Sequence, residues 1–304
     1  MIETRGLRKV YGSTVAVDDL SFSVADGRVT GFLGPNGAGK STTMRMILGL
    51  DRCDAGGVRI DGRRYEDFKQ PLLDVGSLLD AAYVHPTRKA ADHLWAMAAA
   101  NGIPKSRVGT VLDLVGLREV ANKRVGAFSL GMKQRLGLAG ALLGDPKHLI
   151  FDEPANGLDP EGVHWMRRFL KGLAAEGRAI FVSSHLLSEM SLMAEDLVVI
   201  GRGRMIFSGT VDDFVNSSTH GWVTVRTPQL DELAAALAAA GAQLSRPDPA
   251  SLQVVGLTSD QIGELAFTNR ILLHELSPQR ASLEDAFLQV TQGAQEYRAG
   301  EASQ

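Results

Sequence analysis

A single cysteine, Cys53, stands in a chain of 304 residues. An intrachain disulfide is thereby excluded, and no secretory-signal pattern is seen in Met1-Ile2-Glu3-Thr4-Arg5, so a reducing, cytoplasmic setting with an inert Cys53 is expected. Long hydrophobic runs are missing too. Stretches such as Leu94 to Ala100 are short and alanine-rich, well below the ~20 residues that cross a bilayer. If the protein serves a membrane process, another chain must do the spanning. There is no surplus of positive charge: a formal net charge of −3 and a pI of about 6.2 lack the footprint of phosphate-backbone binding, and no nucleic acid partner is expected. No internal repeat and no long coiled-coil pattern is seen.

The remaining composition, 44% hydrophobic and 22% charged, is that of a globular protein. Its length suits one large domain and a smaller one. Apolar and polar residues alternate in Thr14–Val17 and Leu20–Val24 and give way to the apolar run Val29–Leu33, all read as strands. A glycine-rich turn follows, then an apolar-periodic helix over Ser41–Leu50. From about Tyr83 to Asp145 the periodicity is helical. Strand patterns return at His148–Phe151, Ala179–Ser183 and Leu197–Ile200, separated by helical stretches, which predicts a mainly parallel α/β sheet.

After about Ser217 the pattern predicts strand Trp222–Arg226, helix Leu230–Ala240, strands Ala242–Ser245 and Ser251–Val255, helix Gln261–Phe267 and strand Ile271–Glu275. This βαββαβ order resembles a small ferredoxin-like α+β unit. A last helix is expected at Leu283–Val290. The expected organisation is therefore a first domain over 1–216, with a helical subdomain at about 83–145, an accessory or regulatory domain over 217–292, and a disordered polar tail over 293–304.

The turn Gly34-Pro35-Asn36-Gly37-Ala38-Gly39-Lys40-Ser41 satisfies G-x-x-x-x-G-K-[ST] between a strand and a helix. Glycines let successive backbone N–H groups point inward around phosphates, the helix N-terminus adds partial positive charge, and Lys40 reaches the β- and γ-phosphates. Ser41 is the expected Mg²⁺ ligand, with Thr42 next to it. Such a site needs a carboxylate at a neighbouring strand end, and Leu149-Ile150-Phe151-Asp152-Glu153 supplies Asp152 for the metal. Glu153 follows as the general base that polarises the attacking water.

With these residues in place, the chain over about Ile2–Phe214 resembles the nucleotide-binding subunit of ABC transporters. Phe128-Ser129-Leu130-Gly131-Met132-Lys133-Gln134-Arg135 is similar to the family's signature loop, Ala155-Asn156-Gly157-Leu158-Asp159 to its D-loop, and Ser183-Ser184-His185 to its switch histidine. Tyr11 stands where the family stacks an aromatic on adenine, and Asp80 where it carries the Q-loop glutamine. The resemblance implies a P-loop, RecA-like ATPase core with an antiparallel β subdomain and a helical subdomain.

It also implies ATP and Mg²⁺ as ligands and a homodimer or paired subunit closing on ATP. Ser129 and the N–H of Gly131 would contact the γ-phosphate across that interface, His185 would position γ-phosphate and water from the same chain, and Asp159 would couple the two sites. The signature, the Val75–Ala81 segment, His85-Pro86 and the Leu276-Ser277-Pro278 and Ser282–Phe287 segments look most like the drug- and antibiotic-exporter branch. That branch implies a separate multi-span permease and a cytoplasmic chain peripheral to the membrane's inner face.

Two departures stand out. Leu130 replaces a glycine but leaves Ser129 and Gly131. Asp80 cannot donate as an amide does and is shorter by a methylene, so it reaches Mg²⁺ through water or marks the permease contact. His85 and Trp95 match no family role and are read as fold or interface residues. A soluble translation-factor relative would carry tandem cassettes, whereas one phosphate loop is present. A catalytically weakened regulatory subunit is favoured by Asp80 and opposed by Glu153.

Overall fold

The computed structural model describes residues 1–80, 84–218, 221–279 and 282–291. The expected tail over 293–304 lies outside the described residues, as do Ala81 and the expected start of the helical region at Tyr83. The chain divides into two compact units, one over Met1–Val211 and one over Asp212–Val290.

In the first unit the elements run β1 (Ile2–Tyr11), β2 (Thr14–Val24), β3 (Val29–Leu33), α1 (Lys40–Ile47), β4 (Ala55–Ile60), β5 (Val75–Leu78), α2 (Ala90–Ala100), α3 (Ser106–Leu114), α4 (Leu130–Ala141), β6 (His148–Phe151), α5 (Pro160–Ala175), β7 (Ala179–Ser183), α6 (Leu187–Met193), β8 (Asp196–Gly201) and β9 (Arg204–Thr210). Strands β2-β1-β4 form an antiparallel sheet, and β5-β6-β7-β3-β8-β9 form a second sheet that is parallel except at β9. All residues of β3, β6 and β7 are buried, which is why these strands read as unbroken apolar runs rather than as alternation.

The two sheets share one core. Phe22 of β2 stacks at 5.3 Å on Phe181 of β7, and Phe32 of β3 lies 4.9 Å from Phe181 and 5.8 Å from Phe22. The register pairs Phe151 of β6 with Val182 of β7, and Ser183 of β7 with Phe32 of β3. The carboxyl ends of these three strands therefore finish at one edge, where ligands of open α/β sheets bind.

The second unit holds α7 (Val211–Ser218), β10 (Trp222–Arg226), α8 (Leu230–Ala239), β11 (Gln243–Asp248), β12 (Ser251–Val255), α9 (Ser259–Thr268), β13 (Glu275–Gln279) and α10 (Leu283–Thr291). Its strands lie in the order β11-β12-β10-β13, all pairs antiparallel. Val223, Val225, Leu252 and Val254 share its core with Leu233, Leu237, Ile262 and Ala266 of the two helices.

One strand sits later than the sequence suggests: the apolar run Ile271–Glu275 is not a strand, and β13 begins at Glu275, opposite Arg226. Ile271 is drawn into the core, and the Leu272 carbonyl accepts from the Thr227 hydroxyl at 2.7 Å, so the apolar residues form an approach to the sheet. Pro278 is admitted because β13 is an edge strand.

Candidate active site

The phosphate-loop turn joins the end of β3 to the start of α1. Gly39 caps that helix at φ 102°, in left-handed space, and a Cβ there would lie 2.5 Å from the Ala16 carbonyl oxygen, so only glycine fits. Pro35 to Thr42 line a cavity of about 360 Å³ together with Ala16, Leu79, Asp152 and Glu153. Lys40 Nζ donates to the Gly34 carbonyl at 2.6 Å and the Pro35 carbonyl at 3.3 Å. Burial pulls the Lys40 pKa down and the nearby Glu153 and Asp152 charges oppose that shift. A half-buried cation in a cavity lined by a glycine-rich turn and the start of a helix is chemistry suited to a phosphate chain.

Asp152, just past β6, accepts from the Ser41 hydroxyl at 2.6 Å through one oxygen and from the Ser183 hydroxyl at 2.5 Å through the other. Ser41 and Asp152 thus present hard oxygen donors side by side at the cavity, a donor set that fits Mg²⁺. The Glu153 backbone N–H donates to Ser183 Oγ at 2.9 Å. Glu153 has φ +50°, an uncommon left-handed conformation for a non-glycine residue, with its N–H fixed by that bond. Its Oε2 accepts from the His185 backbone N–H at 3.3 Å and meets His185 Nδ1 in a short contact.

Sequence reasoning passed over three residues here. Ala16 and Leu79 line the cavity, and Ser183, fully buried at the end of β7, ties Asp152 to Glu153. For Ser183 a signal existed, a hydroxyl closing an otherwise apolar strand; Ala16 and Leu79 carry none.

The other expected site residues do not line this cavity. The Tyr11 hydroxyl donates to Asp51 Oδ2 at 2.8 Å, and its exposed ring has Lys9 Nζ at 5.2 Å. Ser129 caps α4, accepting from the Met132 N–H at 3.2 Å, and Asp159 caps α5, accepting from the Gly162 N–H at 2.8 Å. Both caps and Asp80 are exposed, and Gly131 packs near Leu158. Among the described residues no helix is long and apolar enough to cross a membrane.

A family model described as "ABC transporter" matches residues 17–156, and a model of a domain of unknown function, DUF8746, matches residues 221–284. The chain is 36% identical over 294 residues to an uncharacterized ABC transporter ATP-binding protein, YhcH, of Bacillus subtilis (strain 168), covering 96% of each chain. It is 44% identical over 209 residues to the bacitracin transport ATP-binding protein BcrA of Bacillus licheniformis, covering 68% of each. Among solved structures, it resembles a dimeric bacterial ABC transporter cassette with a TM-score of 0.64 at 22% identity, covering 69% of this chain and 98% of that one.

Proposed function

This chain belongs to the ATP-binding subunits of ABC transporters, and from that premise we propose that it powers export of an antibiotic-class compound through a separate multi-span permease, two such subunits closing on ATP. Hydrolysis of ATP is the family's activity. The observation that carries the residue assignment is one continuous hydrogen-bonded series: Ser41 and Ser183 hydroxyls to Asp152, the Glu153 N–H to Ser183, and the His185 N–H to Glu153.

In this reading the loop amides and Lys40 bind and orient the phosphates. Ser41 and Asp152 hold Mg²⁺, which when bound neutralises charge on the phosphate oxygens. Glu153 takes the proton from the attacking water, and His185 keeps the Glu153 carboxylate aimed. Tyr11 stacks on the adenine from its exposed position. Ser129 and Gly131 do not line their own chain's cavity, which supports their service to a second subunit's nucleotide. Asp159 carries the contact between the two sites, and Asp80 marks the permease side. The bacitracin relative supports the substrate class, and the absence of a spanning helix among the described residues supports a peripheral subunit at the membrane's inner face.

Phosphate release from MgATP, with and without the neighbouring permease in vesicles, tests this. Stimulation by the permease is expected. Absence of hydrolysis in both conditions rejects the reading.

A further inference from the structure

Three contacts tie the signature helix α4 to the segment that follows Glu153. Leu130 covers Gly157 so closely that a Cβ on Gly157 would lie 2.0 Å from Leu130 Cδ2. One turn further along, Gln134 Nε2 donates to the Asn156 carbonyl at 3.3 Å. Beside it the Arg135 guanidinium lies 4.3 Å from the Trp165 ring of α5, which itself stacks on Phe169 at 4.9 Å. Leu130 and Gln134, four residues apart, share one face of α4.

The middle contact leads to the base. Asn156, whose carbonyl receives Gln134, donates its own backbone N–H to the Glu153 carbonyl at 3.0 Å. Gln134 is only 8% exposed, and its Oε1 is buried with no hydrogen-bond partner among the described residues. A leucine or methionine would fill that volume without an unpaired Oε1, so the amide carries a desolvation cost against the one bond that it makes, to the Asn156 carbonyl.

We infer that Gln134 is a positioning residue: through Asn156 it fixes the backbone of Glu153 to the signature helix of the same chain. The inference rests on the shared-site reading. There, Ser129 and Gly131 serve the nucleotide of one site while Glu153 serves the other. The Gln134–Asn156–Glu153 series then makes occupancy under the signature loop felt at the base of the opposite site, a physical link between two sites that act together.

The test uses the full chain. Steady-state hydrolysis is measured against ATP concentration for the parent and for Gln134→Leu, with fluorescent-nucleotide binding and thermal unfolding alongside. The parent is expected to show a Hill coefficient above unity. Gln134→Leu is expected to bind nucleotide and unfold like the parent. Its turnover falls about tenfold, the value of one hydrogen bond near the reacting groups, and its Hill coefficient falls to about one. Arg135→Lys, which keeps the cation and loses the guanidinium over Trp165 and its bond to the Val115 carbonyl, is carried as a second folded variant and is expected to show the same two changes more weakly. A cooperative parent with unchanged turnover and Hill coefficient in both variants overturns the inference alone. A parent with a Hill coefficient of one overturns the shared-site reading and this inference with it.

Discussion

His185 sets both its backbone N–H, at 3.3 Å, and its imidazole Nδ1 against a single oxygen, Oε2 of Glu153. Glu153 itself sits at φ +50° with its N–H on Ser183 Oγ. The carboxylate is therefore held from both ends, which is what a general base needs if water is to attack in one geometry. Removing the base without disturbing this frame is the cleanest probe. Glu153→Gln keeps an oxygen for the His185 N–H, so ATP binding is expected to persist and dimers to accumulate on sizing with ATP, while phosphate release falls about 10²–10⁴-fold. Turnover within tenfold of the parent would remove Glu153 from that role.

Lys40 is a cation held in a half-buried place, its Nζ donating to the Gly34 and Pro35 carbonyl oxygens. Lys40→Ala should leave the nucleotide-free protein at least as heat-stable, because burial already penalises the charge. The same variant should lose the stabilisation of about 2.7 kcal/mol that ATP at a hundred times its Kd gives the parent. Thermal scans with and without ATP read both effects.

Asp152 accepts from two hydroxyls, Ser41 and Ser183, one on each oxygen. Asp152→Asn should raise the Mg²⁺ concentration needed for half-maximal hydrolysis by about ten- to a hundredfold. Chelation with EDTA should stop hydrolysis by the parent. A Mg²⁺ titration at fixed ATP checks the variant, and an unshifted midpoint would detach Asp152 from the metal.

Phe181 is fully buried and touches the rings of both Phe22 and Phe32, so it joins the two sheets on which the site is built. Phe181→Ala should cost about 3–5 kcal/mol of stability through lost burial and the cavity left behind. Urea unfolding measures this as a lower midpoint with an unchanged slope.

Burial and the nearby Arg88 charge pull the His93 pKa below its ordinary 6.5, and its Nδ1 has no partner among the described residues. The folded state therefore binds this proton less readily than the unfolded chain. Stability contributed by neutral His93 is present above pH ~6.5 and is lost as the pH falls from there toward the folded-state value. His93→Leu should flatten the decline of the melting temperature between pH ~7.5 and ~5.5 relative to the parent. An identical slope would show that His93 does not govern it.

Much of this was legible in the chain itself. The phosphate loop, Asp152 and Glu153 are local signals, because a glycine turn between an apolar strand and a helix, or an acidic pair closing an apolar run, carries its meaning within a few residues. The buried parallel strands announced themselves for the same reason. Where local pattern and long-range pairing compete, the sequence misleads: Ile271 to His274 look like a strand, yet the register is set by Arg226 facing Glu275, and Ile271 and Leu273 serve the core beside the edge while Leu272 is exposed.

The sequence by itself determined which chemistry the strand ends carry, since residue type and spacing decide what can cradle phosphate, hold a metal or take a proton. Only the tertiary structure decided which groups meet. Ser183 enters the site because parallel pairing of β6, β7 and β3 aligns three strand ends, and Gln134 reaches Asn156 across 22 residues because α4 packs against the segment after Glu153. Such meetings depend on contacts between distant parts of the chain, whose closure the folded core alone makes favourable.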